Sequence, residues 1–433
     1  MSYLHDDGST PERWAKVAIS QTFDDGLPYM VFYATGPLPI SSATRLEPLR
    51  YIFNSGKHYV KNPVQDFEAI SQFGQDIAAN IPDITQQLLG DTVHEIVPGQ
   101  LYDGLLCWPR GARIERGGLV LWFQIFRPGL ESGSRTLLPQ GIYAKFDATS
   151  ANISDWSVGE YYYNGILYDN EAAFRSAVKS SDFVSTPPNL DGAWTKTEDF
   201  ESKPGGRELP PPVTVQPYGP RYKLDRAQKY VSWLGFEFYI STSQATGVSL
   251  FDIRFKDVRV MHEVGLQEAL SHYAGDDPMQ GGLEFLDTFF GMGKQMYELL
   301  PGYDCPAYAD YLDTPWHQLH KSNVNPNSIC VFEYTSEALL SRHTAQYSVT
   351  ASRNTYLVVR SVATVGNYDY TISYNFYLDG TMEVKVMASG FIFGAFYTAN
   401  STKHEDKYGH RVGHALSSSM HDHVLNFKAD VSF

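Results

Sequence analysis

His421 and His423 stand two residues apart in the run Met420-His-Asp-His-Val-Leu-Asn-Phe-Lys-Ala-Asp430. On a β-strand, residues i and i+2 face the same way, so both imidazoles can reach one metal ion. Off a strand, the same triplet is an ordinary surface coincidence. Upstream, Tyr368 sits in Thr364-Val-Gly-Asn367-Tyr368-Asp369-Tyr370, which taken alone reads as a turn beside a strand. A third run, Gly282-Leu-Glu-Phe285-Leu-Asp287, is followed by Gly291-Met-Gly293, Pro301-Gly-Tyr-Asp-Cys305-Pro306 and then Ile329-Cys330. Asp287 is a loop or cap aspartate unless burial or an aromatic surround raises its pKa into the range of a general base. Phe285, Phe289 and Phe290 are the nearest suppliers of such a surround.

Together these runs resemble the copper- and quinone-dependent primary amine oxidases, in the vertebrate and fungal lysyl-oxidase-type branch. Thr35-Gly-Pro-Leu-Pro39, Val215-Gln-Pro-Tyr-Gly-Pro-Arg-Tyr-Lys-Leu224 and Glu268-Ala-Leu-Ser-His-Tyr273-Ala-Gly275 extend the likeness over nearly the whole chain. The resemblance implies that Tyr368, flanked by Asn367 and Asp369, is the precursor of trihydroxyphenylalanine quinone (topaquinone). It implies that Asp287 is the catalytic base and that Tyr273 orients the quinone ring. Phe285 falls at the substrate gate, with a buried aromatic as the other reading. His421 and His423 match two copper ligands, and Cys305 and Cys330 match a disulfide, with two buried thiols as the alternative. The implied reaction converts a primary amine, O2 and water to an aldehyde, ammonia and hydrogen peroxide. A Cu2+ ion beside a phenol can draw the ring into reaction with O2, and the resulting quinone is an electron sink for the amine. Small amines and peptidyl lysine are both candidate substrates, and a homodimer is implied.

The elements that must hold these residues are mostly strands. Val17–Ser20, Met30–Ala34 and Gly118–Phe126 read as strands, while residues 65–89 carry apolar residues (Phe67, Ile70, Phe73, Ile77) at helical spacing. Ala172–Val178 reads as a short helix. A Pro- and Gly-rich stretch from about residue 186 to 222 reads as a linker. Beyond it, Val231–Ile240 and Val248–Phe255 read as single strands. Thr371–Leu378 alternates Ile372, Tyr374, Phe376 and Leu378 against Thr371, Ser373, Asn375 and Tyr377; Asp379-Gly380 then signals a hairpin. The expected architecture is mainly β: an α+β domain over 1–185, the linker, and a large antiparallel β-sandwich catalytic domain over 223–433 with one buried face.

Composition narrows the partners. A net charge of −15 without a basic cluster argues against nucleic acid. Nothing approaches eighteen uninterrupted apolar residues, so no membrane span is expected. The N-terminus shows no signal peptide, and Asn152-Ile-Ser and Asn400-Ser-Thr are glycosylation acceptors only on the secretory route, which leaves the compartment open. The resemblance is incomplete at the C-terminal side. It implies a third copper histidine and further sandwich strands beyond Phe433, and His404, His410 and His414 match no family ligand. The rest of the molecule would lie on a second chain after a nick or on a longer chain, or else the product is short and inactive. In that last case the chain is an amine-oxidase-like binding or assembly module lacking a full copper site. Ser432 in Asp430-Val431-Ser432 stands where relatives have a second carboxylate, so calcium is not expected.

Overall fold

The computed structural model describes residues 4–5, 12–25, 28–53, 55–61, 67–93, 104–130, 136–150, 152–196, 212–275, 277–318, 321–398 and 408–432. The middle of the Pro/Gly stretch, together with His404 and the Asn400 acceptor, lies outside them.

The N-terminal part holds two separate sheets. In the first, β1 (Glu12–Thr22) and β2 (Pro28–Leu38) form an antiparallel pair. Helices α1 (Phe67–Ala79) and α2 (Pro82–Leu89) follow. The apolar period predicts one helix here, but Pro82 cannot donate to the preceding turn, so the chain breaks at Asn80-Ile81 and restarts. Gly90, at φ 72°, ends α2 in the left-handed region that glycine accepts without strain. The second sheet contains β3 (Leu106–Glu115), β4 (Gly118–Arg127), β5 (Leu138–Asp147) and β6 (Ser157–Tyr163), edged by the short strand Ile166–Tyr168, with α3 (Glu171–Val178) behind it. Ile77, Phe123, Phe146, Tyr161 and Phe174 share one buried core between helices and sheet.

Two antiparallel sheets make the C-terminal sandwich. One contains β7 (Tyr230–Trp233), β8 (Phe236–Ser243), β9 (Gly247–Phe255) and β10 (Val258–Tyr273). The expected single strand Val231–Ile240 is thus a hairpin. It turns at Leu234-Gly235, both at positive φ, as a tight two-residue β-turn demands. After a short helix, α4 (Asp287–Phe290), the second sheet is built from β11 (Asp310–Gln318), β12 (Lys321–Thr344), β13 (Val349–Val365), β14 (Tyr368–Tyr377) and β15 (Met382–Gly390). Then β16 (His421–Val431) returns to the first sheet and pairs with β10. Trp233, Phe238, Leu250, Val359, Tyr374 and Phe376 fill the space between sheets, with the Phe238 and Phe376 rings stacked at 4.4 Å.

Ile372, Tyr374 and Phe376 of β14 are buried as expected, Leu378 lies past the strand end and is exposed instead, and Asp379-Gly380 does turn into β15. The middle of the polar face of β14, however, is also buried. Ser373 accepts from Arg360 Nε at 2.9 Å and Asn375 donates to Glu383 at 2.7 Å. Cys305 and Cys330 are bonded, within a buried cluster beside Leu299, Phe332 and Val358. The front of the Pro/Gly stretch is docked rather than loose, since Asn189 donates to Pro139 O and Ala415 O. At its far end, Gln216 and Arg221 reach the buried carboxylate of Glu333.

Candidate active site

Cross-strand pairing assembles the centre of the site. Along β10 and β16, Tyr273 lies opposite His421 and Ser271 opposite His423. His421 and His423 are half-buried on one face of β16 while Asp422 is exposed between them, so the expected convergence holds. Their rings sit 4.8 Å apart, and Tyr273 stacks on His421 at 4.8 Å.

From the other sheet, β14 brings Tyr368 and, two residues on, Tyr370. The Tyr368 hydroxyl lies 3.2 Å from His421 Nε2 and accepts the Phe393 N–H at 3.0 Å. The Tyr273 hydroxyl also faces it. Burial holds the Tyr368 phenol above its ordinary value. The Tyr370 hydroxyl lies 2.8 Å from His423 Nδ1 and 3.4 Å from Asp287 Oδ2, so it stands between that carboxylate and the imidazole. Ser271 Oγ lies 3.0 Å from the same nitrogen. His421 Nδ1 is 2.7 Å from the Ser419 carbonyl, which can only accept, so that nitrogen carries the proton and Nε2 keeps its lone pair.

Asp287 opens α4 and is only 5% exposed. Desolvation pushes its carboxyl up to about 7; the Tyr370 hydroxyl pulls it down and Glu268 pushes it up. Phe285 stands edge-on to Tyr273 at 5.8 Å and to Phe290 at 5.8 Å, as an aromatic wall. Phe289 is 60% exposed, and its ring stands edge-on to Phe290 at 5.5 Å at the outer rim of that wall.

Asn367 donates to Thr136 Oγ1 of the N-terminal part, and its carbonyl accepts from Phe391. Asp369 points away from the cluster and accepts from Thr364. The disulfide braces the far face of the sheet, away from the cluster. Sequence reasoning assigned no role to Tyr370, Ser271, Phe393 or Thr136. Tyr370 carried a signal, being at i+2 from Tyr368. Ser271 required the β10–β16 register, and the other two act at long range.

The profile of the copper amine oxidase enzyme domain matches residues 224–433, and a domain of unknown function (DUF1965) matches residues 134–200. Copper amine oxidase vicK1 of Bipolaris victoriae is 38% identical over 99% of this chain. This chain belongs to the copper amine oxidase family.

Two solved structures superpose with the same quality. The Aspergillus nidulans amine oxidase is 40% identical with a TM-score of 0.87, and the Pichia pastoris lysyl oxidase is 32% identical at 0.87. Both matches cover 98% of this chain, but 56% and 58% of those chains, and 59% of the Bipolaris protein. The chain therefore spans somewhat over half the length of these relatives. For a copper amine oxidase the donor set is apt. His421 Nε2 is a lone pair aimed at a phenol oxygen, and His423, held at Nδ1 by two hydroxyls, has Nε2 to offer. Burial and neighbouring His421 hold the His423 imidazole below its ordinary value, favouring the neutral form that a metal requires. Among the described residues, no group of three His, Cys, Asp or Glu side chains converges, so His421 and His423 stand as a pair.

Proposed function

We propose that the protein acts as a primary amine oxidase, converting a primary amine, O2 and water to an aldehyde, ammonia and hydrogen peroxide. The observation that carries this reading is the convergence of Tyr368 with His421 on one side and Tyr273 on the other, one residue pair from a buried Asp287–Tyr370 contact. Copper held by His421 and His423, with a quinone derived from Tyr368, would supply an electron acceptor with a carbonyl electrophilic toward amines.

The chain's own residues supply the rest. Asp287 takes the substrate's α-proton, because a carboxyl near 7 is ionised often enough to act and basic enough to accept. The Tyr370 hydroxyl steadies that carboxylate. Tyr273 and the Phe393 N–H meet the Tyr368 oxygen from two directions and limit how its ring turns. Phe285, packed against Tyr273 and Phe290, screens the approach and keeps water from the base. Relatives are named for diamines and for lysyl groups; the aromatic wall here favours an amine with an apolar body.

A homodimer belongs to the same reading. The far ends of β12 and β13 form an arm in which Leu339, Leu340, Tyr347 and Val349 are exposed, a surface suited to a second copy. No described helix is long and apolar enough to cross a membrane.

Aerobic incubation of the chain with Cu2+, followed by phenylhydrazine, tests the proposal. The expected result is an adduct on the peptide holding Asn367–Tyr370, with hydrogen peroxide released on adding a primary amine. An unmodified Tyr368 mass in a copper-loaded full-length protein would overturn it.

A further inference from the structure

Outside the cluster that would meet substrate, Asp277 is buried at 3% exposure. One of its oxygens accepts the Met279 and Gln280 N–H groups, both at 2.8 Å. The other accepts the Phe396 N–H at 3.2 Å. The wholly buried hydroxyl of Tyr143, from β5 of the N-terminal part, lies beside the same carboxylate. Burying a carboxylate is costly unless its oxygens are well supplied with donors. Here the donors come from two segments far apart in sequence.

Those segments lead straight to the chemistry. Met279 and Gln280 open the turn that feeds Phe285 and Asp287. Phe396 ends the short stretch that begins at Phe393, whose N–H meets the Tyr368 hydroxyl. Gln280 reaches further, donating to Gly394 O at 3.3 Å, while its Oε1 lies 3.1 Å from Ser419 Oγ. The Ser419 carbonyl in turn accepts the His421 Nδ1 proton. There is little slack in this packing. A methyl group at Gly275 would come within 2.4 Å of Gln280 Cβ, and one at Gly394 within 2.4 Å of Leu137 O.

We propose that Asp277 is a positioning residue for amine oxidation. From beyond the substrate's reach, it fixes the base-bearing loop, the segment over Tyr368 and the start of the histidine strand in one mutual register, backed by Tyr143. The proposal rests on the amine-oxidase reading for its kinetic part. The chemistry of the site makes such a residue consequential, since a misplacement of about 1 Å can cost about a hundredfold in rate.

The test compares Asp277→Asn and Tyr143→Phe with the parent full-length, copper-loaded protein. In Asp277→Asn an amide NH2 replaces one acceptor oxygen and faces an N–H donor. Amide hydrogen exchange is expected to quicken together in peptides covering residues 277–286 and 393–398, while the core strands 236–255 keep the parental rate. kcat is expected to fall about tenfold to a hundredfold with KM within about twofold, because orientation rather than binding is lost. Tyr143→Phe, which removes only a hydroxyl, is expected to show the same pattern more weakly, and it decides the matter if Asp277→Asn does not fold. Quickened exchange confined to 277–286, parental exchange throughout, or an unchanged kcat would overturn the proposal. A parent protein that oxidises no amine would instead sink the functional reading, and the coupled exchange would still decide whether Asp277 joins the segments.

Discussion

At Asp287 a side chain only 5% exposed carries a carboxyl that burial pushes up to about 7, against an ordinary 3.8. In the proposed role the ionised form is the base, so kcat/KM is expected to rise with pH through about 7 and then level; a profile flat from pH 5 to 9 would remove Asp287 from that role. Stability runs the opposite way. A folded pKa above the unfolded one stabilises fully below about 4, and that contribution is lost as pH rises through about 7. Asp287→Asn is therefore expected to lower turnover by about 10²–10⁴ or more while leaving Tyr368 conversion intact. Its Tm at pH 8 should match or exceed the parent's, and calorimetry at pH 5 and pH 8 checks the sign. Tyr370→Phe removes the hydroxyl between Asp287 and His423. Without that donor, the kcat/KM midpoint should move to higher pH. Copper affinity should fall about 10–100-fold, as for other losses around a ligating imidazole; an unshifted midpoint would mean that the 3.4 Å contact does nothing to the base.

Among the elements, β14 matters most, since it carries Tyr368 and Tyr370 at one end and Phe376 at the other. Phe376 is fully buried between Phe236 and Phe238, so Phe376→Ala is expected to cost about 3–5 kcal/mol in a denaturant titration. The Cys305–Cys330 bond closes a loop over a sequence separation of 25, and replacing both by Ala should cost about 3 kcal/mol. Both residues lie away from the Tyr368 cluster, so quinone yield per folded molecule should hold. How legible each element was depended on how local its cause is. The period-2 pattern of residues 371–378 and the Asp379-Gly380 turn are local, and both were readable. The Leu234-Gly235 turn was hidden because Val231–Ile240 is mostly apolar and no Asn-Gly or Asp-Gly marks the reversal. The burial of Ser373 and Asn375 was equally hidden, since their partners Arg360 and Glu383 sit on neighbouring strands.

Across the whole molecule, the two sheets and the N-terminal part meet around Tyr368. The five residues His421, His423, Tyr368, Tyr273 and Asp287 were readable as a set through their flanking runs. Thr136, Tyr143 and Asp277 were not, because their neighbours come from opposite ends of the chain. Exposed Leu339, Leu340, Tyr347 and Val349 on the β12–β13 arm predict that shortening residues 337–348 to a tight turn will shift the protein toward monomer in sedimentation, while the sandwich core stays folded. Because side chains alternate with period two, sliding β16 by one residue along β10 would turn both imidazoles outward and bring Asp422 and Val424 inward. The irregularity between Leu266 and Glu268 pins the alignment on one side, and the ring stack of Tyr273 on His421 pins it on the other. An ion that needs both imidazoles can thus be held by only one of the two neighbouring alignments, so metal uptake would act as a proofreading step on sheet assembly.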